Sequence, residues 1–180
     1  MHSVELLPDA DTDRAVRDVW RQLADRGLPS QAHHRHPTNR PHLTLATADR
    51  LPPERRAEVL RVLAEALPVP LRLDGVVWWS GRVRVLAWTV RPEPPLLRLH
   101  EAVWRILHDT PGTGALPPLL APARWVPHIT LGRGAAARWA AADEESAALT
   151  AGAAFGAVTG EWTSARRYDS VTRTVTSLVP

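Results

Sequence analysis

Apolar positions along the chain switch between a period of two and a period near 3.6, which predicts strands alternating with amphipathic helices. "HSVELL" at 2–7 reads as a first strand, and "DADTDRAVRDVWRQLADRG" at 9–27 as a helix with an acidic first turn. Val16, Val19, Trp20 and Leu23 share one face of that helix, and Gly27 ends it. A polar loop, "LPSQAHHRHPTNR", leads to a strand at "PHLTLA" (41–46), and a helix follows over "PPERRAEVLRVLAEAL". Two strands, "LRLDGVVWW" and "RVRVLAWTV", turn at Ser80 and Gly81.

The second half repeats the order. A helix at "PPLLRLHEAVWRILHD" precedes a Pro/Gly-rich loop from Pro111 to Arg124 and a strand at "VPHITLG". The Ala-rich "AAARWAAADEESAAL" reads as a helix, and "FGAVTGEWTSARRY" and "VTRTVTSLV" as strands turning at Asp169 and Ser170. No linker or low-complexity segment divides the halves. The reading is therefore a single domain over 1–180 made of two pseudo-symmetric lobes, about 1–92 and 93–180.

Composition narrows the chemistry. With 44% apolar residues in 180, the chain can bury a sizeable core. It has no cysteine, which excludes disulfides, thiolate metal sites and a Cys nucleophile, so chemistry falls to His, Ser, Thr or carboxylates. The 22 basic side chains are all arginine, against 19 acidic ones, and the net charge of +3 permits an anionic substrate without resembling the basic stripe of a duplex-binding protein. The N-terminus lacks a charged-then-apolar leader, and proline breaks every long apolar run, so a soluble cytoplasmic protein with no membrane partner is expected.

The stretch that carries chemistry is "PHITL" at 127–131, because it has a twin, "PHLTL", at 41–45. At the strand period His128 and Thr130 lie on one face and Pro127, Ile129 and Leu131 on the other; His42 and Thr44 repeat this against Pro41, Leu43 and Leu45. The histidines are 86 residues apart (128 minus 42), nearly half the chain, and each precedes a helix and then a hairpin. If the halves pack about a pseudo-twofold axis, both His/Thr faces converge on one cleft. Two imidazoles titrating near neutrality can then serve as base and acid, and two hydroxyls can stabilise a charged transition state.

Two H-x-T motifs on strands half a chain apart, the second continuing as "HITLGR", resemble the 2H phosphoesterase superfamily, and within it the bacterial 2'-5' RNA ligase (LigT-like) branch of RNA 2',3'-cyclic phosphodiesterases. The resemblance implies an α+β fold, duplicated and bilobal, with two antiparallel sheets around a central cleft and helices outside. It implies metal- and nucleotide-independent hydrolysis of a 2',3'-cyclic phosphate on an RNA 3' end or small nucleotide, giving a 2'-phosphate, with 2'-5' ligation as the reverse reaction. By it, His42, Thr44, His128 and Thr130 are the catalytic residues, and Arg133 stands where members keep a basic residue beside the phosphate. No cofactor is implied, and a monomer is expected. The chain departs from the commoner pattern in its loop at 111–124 and its scarcity of Phe and Tyr.

Other residues divide between site and scaffold. Arg35 and Arg40 flank the first motif in the "HHRH" loop and are candidates to face phosphate, while the three histidines of that loop, with neither Cys nor carboxylate beside them, read as solvated rather than as a metal site. Trp125, Tyr168 or a tryptophan of the 71–90 hairpin is the candidate to stack a base. His100 and His108 fall in a helix pattern and are given no role; of the adjacent Arg166 and Arg167, at most one can face the cleft. Two alternatives stay open: another phosphodiesterase of the superfamily, acting on ADP-ribose cyclic phosphate or a 2'-5' oligonucleotide, and a module that binds nucleotide or RNA ends without turnover.

Overall fold

In the computed structural model, which describes residues 1–140, 144–151 and 155–180, the elements follow the expected order. β1 (His2–Pro8) leads into α1 (Ala10–Asp25), then β2 (Leu43–Ala48), α2 (Pro53–Ala66) and the hairpin of β3 (Val69–Trp79) with β4 (Val83–Val90). α3 (Pro94–His108) precedes β5 (His128–Ala135), α4 (Ala136–Trp139), α5 (Glu144–Thr150), β6 (Val158–Asp169) and β7 (Thr174–Val179). The Ala-rich stretch expected as one helix thus holds two described helical pieces, and its residues 141–143 lie outside the described ones. The last turn is longer than expected because the Asp169 carboxylate accepts from the amides of Val171 and Thr172 and Arg173 takes a left-handed φ of 55°.

All pairings are antiparallel. In place of two separate sheets, the strands form one seven-stranded sheet with two four-stranded halves, β2-β1-β6-β7 and β6-β3-β4-β5, and the 12-residue β6 belongs to both. Its first part, Val158 to Trp162, pairs with β3, and the stretch from Trp162 to Asp169 pairs with β1. Each half takes strands from both halves of the sequence. The hairpin β6-β7 sits beside β1, and the hairpin β3-β4 sits beside β5.

This topology puts β2 and β5, the strands of the two H-x-T motifs, at opposite ends of the strand order, yet they touch. The likeness of the two motif strands extends to ladder detail. In β1 against β2 the register slips between Val4 and Glu5, so that Val4 faces Ala46 and Glu5 faces Thr44, leaving Leu45 as the extra residue. In β4 against β5 it slips between Leu86 and Ala87, which face Gly132 and Thr130, leaving Leu131 extra. A bulge bends a strand and re-aims its side chains, and here each follows directly on the motif threonine.

Two indoles tie these strands to their surroundings. Trp20 of α1 donates to the Thr130 carbonyl at 3.1 Å, and Trp125 donates to the Thr44 carbonyl at 3.2 Å, satisfying main-chain acceptors of strands at the ends of the ladder. Trp20 reaches β5 because Gly132 and Gly134 admit Pro29 of the following loop; a Cβ on Gly132 would overlap the Pro29 carbonyl. Val16, Val19, Trp20 and Leu23 are buried as α1's apolar spacing predicts. α2 packs on α3, and α3 on β2 and β3.

Candidate active site

Along β5 the alternation predicted for the motif holds: Pro127, Ile129 and Leu131 are buried while His128 and Thr130 are half-buried. The same is true of Pro41, Leu43 and Leu45 against His42 and Thr44. Each imidazole is held in the same way. His42 Nδ1 lies 2.7 Å from the carbonyl oxygen of Arg40 and His128 Nδ1 2.7 Å from that of Val126, in both cases two residues upstream. A carbonyl only accepts, so Nδ1 carries the proton in each ring and Nε2 is left available, a lone pair in the neutral form and a donor in the charged one.

Both histidines line one cleft of about 490 Å³, together with Thr130, Arg133 and Trp125. Thr44 is half-buried on the His42 face but is not among the residues that line it. Of the other expected residues, Arg40 lines a neighbouring basin beside Arg17 and Arg21 and lies 3.4 Å from the Asp13 carboxylate. Arg35 is exposed and lines neither space. Tyr168 joins His42 in a smaller cavity of about 190 Å³ alongside the cleft, where His34 and His36 of the "HHRH" loop also sit. Trp125 is buried, with its ring stacked on His100 at 3.7 Å and its indole nitrogen committed to Thr44, so it forms cleft wall.

The chain as a whole can now be compared with known proteins. Residues 8–166 match the 2'-5' RNA ligase superfamily. The chain belongs to that superfamily. Among solved structures it is similar to one described as a phosphoesterase, with a TM-score of 0.52 and 18% identity over 98% of this chain and 92% of the other. It is also similar to E. coli LigT complexed with NADP+, with a TM-score of 0.54 and 19% identity over 98% and 91%, and to E. coli LigT complexed with phosphate, at 0.50 and 20% over 98% and 92%. At such identities the likeness is one of fold, and it agrees with the 2H phosphoesterase resemblance carried by the motifs. No curated protein matches the chain.

This member of the 2'-5' RNA ligase superfamily adds cleft residues that sequence reasoning did not single out. Arg124 lines the cleft along with the expected Arg133, and Gln31 and Asn39 line it from the polar loop. Trp79, at the end of the first hairpin, packs its ring 4.5 Å from that of His128. The first hairpin is among the expected sources of a stacking residue, and its aromatic run "VVWW" carries that signal.

The two histidines differ electrostatically. Burial pushes the His128 imidazole below its ordinary value; the Val126 carbonyl opposes the shift and the positive charge of His42 adds to it. His42 faces Glu5, a buried carboxylate whose Oε1 is 3.8 Å from His42 Nε2. Glu5 in turn accepts from Ser3 Oγ at 2.6 Å and from Arg166 Nε at 2.7 Å. Its sequence signal was a lone acid inside the apolar "HSVELL". Among the described residues no group of three or more His, Cys, Asp or Glu converges in a way that could hold a metal ion, and no helix is long and apolar enough to cross a membrane.

Proposed function

We propose that the chain hydrolyses 2',3'-cyclic phosphates on RNA ends or small nucleotides by acid–base catalysis between His42 and His128. The observation that carries this reading is the matched pair of imidazoles lining one cleft, each fixed at Nδ1 by a carbonyl two residues upstream and free at Nε2. A module that only binds nucleotide ends has no need of a matched acid and base. Membership of the superfamily supports an enzyme of this kind, and structures of E. coli LigT with NADP+ and with phosphate fit a cleft that takes nucleotides and phosphates.

In this mechanism His128, neutral because of its burial, takes a proton from water as the water oxygen attacks phosphorus. The bond from phosphorus to the ribose 3' oxygen breaks, and His42 gives its Nε2 proton to that oxygen. A 2'-phosphate and a 3'-hydroxyl result. The Thr130 hydroxyl and the Arg133 guanidinium, both lining the cleft, donate to the nonbridging oxygens as negative charge accumulates there. Thr44, expected to take the equivalent part on the other strand, does not line the cleft and is given no contact with the phosphate, while Trp79 offers a face to the base. With a 5'-hydroxyl in the place of the attacking water, the same groups open the cyclic phosphate, the 3' oxygen again leaving as a hydroxyl, and form a 2'-5' linkage.

The test is a panel of purified protein on 2',3'-cyclic nucleotides, RNA ending in a cyclic phosphate, ADP-ribose cyclic phosphate and 2'-5' oligonucleotides, each with and without EDTA. Hydrolysis of the first two to 2'-phosphates, unaffected by EDTA, is expected. Turnover of the last two alone moves the assignment to another phosphodiesterase of the superfamily. Binding without turnover moves it to an end-binding module.

A further inference from the structure

The duplication that makes the two histidines alike is broken at one position beside them. Across the ladder from Thr44 stands Glu5, and at the corresponding place across from Thr130 stands Ala87; each follows the same register slip. One motif therefore has a carboxylate next to it and the other a methyl group. Glu5 is 3% exposed, and such a charge is kept only if it is paired and hydrogen-bonded. Ser3 and Arg166 do this, one on each carboxylate oxygen, and Arg166, 7% exposed, also donates to the Thr38 carbonyl at 2.8 Å. The network thus runs from β1 through β6 to the loop that delivers His42. Its inner end, Glu5 Oε1, lies 3.8 Å from His42 Nε2, the nitrogen that the Arg40 carbonyl leaves free.

The other titratable or charged groups that share a cavity with His42 are Arg166 and Tyr168 from β6, His34 and His36 from the loop, and Arg124, Arg133 and His128 in the cleft. Among them Glu5 is the group whose charge opposes an imidazolium. Arg166 satisfies one carboxylate oxygen through Nε and directs Nη1 away to Thr38, so the Oε1 edge stays turned to His42. Among the described residues no carboxylate pairs with His128; its ring packs against Trp79.

We propose that Glu5 is a positioning residue for His42: its carboxylate, locked by Ser3 and Arg166, steadies the protonated ring and commits that histidine to the proton-donor side of the reaction. The inference rests on the two-histidine reading above and adds the group that makes the two rings unequal. Glu5 touches neither water nor phosphate in it and acts through His42.

Three variants and one measurement on the unaltered protein test it. Glu5→Gln keeps the shape and removes the charge, Glu5→Asp keeps the charge on a shorter arm, and Glu5→Gln/Arg166→Met avoids leaving a buried guanidinium unpaired. For hydrolysis of a 2',3'-cyclic nucleotide, Glu5→Gln is expected to lose on the order of 10- to 100-fold in kcat with KM changed less than about threefold, the size seen when a histidine loses its outer partner. Glu5→Asp retains more activity than Glu5→Gln. The double variant folds, by its melting transition, and shows the same kcat loss. In the unaltered protein, the 13Cδ resonance of labelled Glu5 is expected to shift as the His42 ring titrates. A folded Glu5→Gln or double variant with the original kcat overturns the proposal, as does Glu5→Gln outperforming Glu5→Asp, which would mark a purely structural role. A Glu5 resonance indifferent to His42 overturns it as well. If the unaltered protein turns over no cyclic phosphate, the functional reading fails by itself, and the Glu5 resonance still decides the link to His42.

Discussion

Lowering the pH from 7 to 4 is expected to cost the fold about 3 kcal/mol through His100 alone. His100 is 1% exposed on α3, donates from Nε2 to the Leu120 carbonyl at 3.1 Å and stacks flat on Trp125. Burial pushes its pKa down from 6.5 to about 4, against the pull of the Leu120 carbonyl and the Glu101 charge. Because the folded-state value is depressed and the group is a base, the folded state holds the neutral ring while the unfolded chain binds a proton below pH 6.5. The stabilising contribution is therefore complete above that value and is lost as the pH falls toward 4. The gap of 2.5 (6.5 minus 4), at 1.36 kcal/mol per pH unit, gives the figure of about 3 kcal/mol. The assay is urea unfolding at half-unit pH steps for the protein and for His100→Gln, whose amide can still donate to Leu120 but does not titrate. Carboxylates contribute equally to both, so the difference between the two curves isolates the histidine. The variant should be less stable at pH 7 and lose less on acidification. Parallel curves would refute the argument.

Further outcomes concern the cleft and its frame. Since burial lowers the His128 pKa and the proposed mechanism uses the neutral ring as base, kcat/KM should rise with pH through a midpoint below 6.5, read from the acidic limb of a rate profile. Trp79→Ala should raise KM for a cyclic nucleotide roughly 5- to 100-fold, the range of one lost base–aromatic stack, with a smaller effect on kcat. Gly132→Ala forces its new methyl into the Pro29 carbonyl and should cost on the order of 1–3 kcal/mol, seen as a Tm lower by roughly 3 to 10 °C.

Much of the frame was legible because local rules and global fold agree. α1 carries its stripe at Val16, Val19, Trp20 and Leu23 in a spacing that only a helix buries, and the H-x-T strands alternate at the period of a half-buried sheet. Repetition converted a weak signal into a strong one, since either "PHLTL" or "PHITL" alone reads as an ordinary strand. What escaped depends on long-range register. Nothing near Glu5 in the sequence indicates that it pairs with Arg166, 161 residues away, or that it faces His42. Trp125 looked like a stacking residue because aromatic type is visible and commitment is not: both its indole nitrogen and one ring face are taken, by Thr44 and His100. The sharing of β6 between the two half-sheets is equally silent, since its 12 residues show no break where the partner changes from β3 to β1.

The central claim is that His42 and His128 act as one acid–base unit, and kcat/KM of His42→Ala, His128→Ala and the double variant on a 2',3'-cyclic nucleotide tests it most directly. Each single change should lower the rate by about 100- to 10,000-fold, and the double variant should be scarcely worse than either, because groups that act as a unit are not additive. Melting curves recorded alongside establish folding. Singles that stay folded and keep most of the hydrolysis would contradict the account.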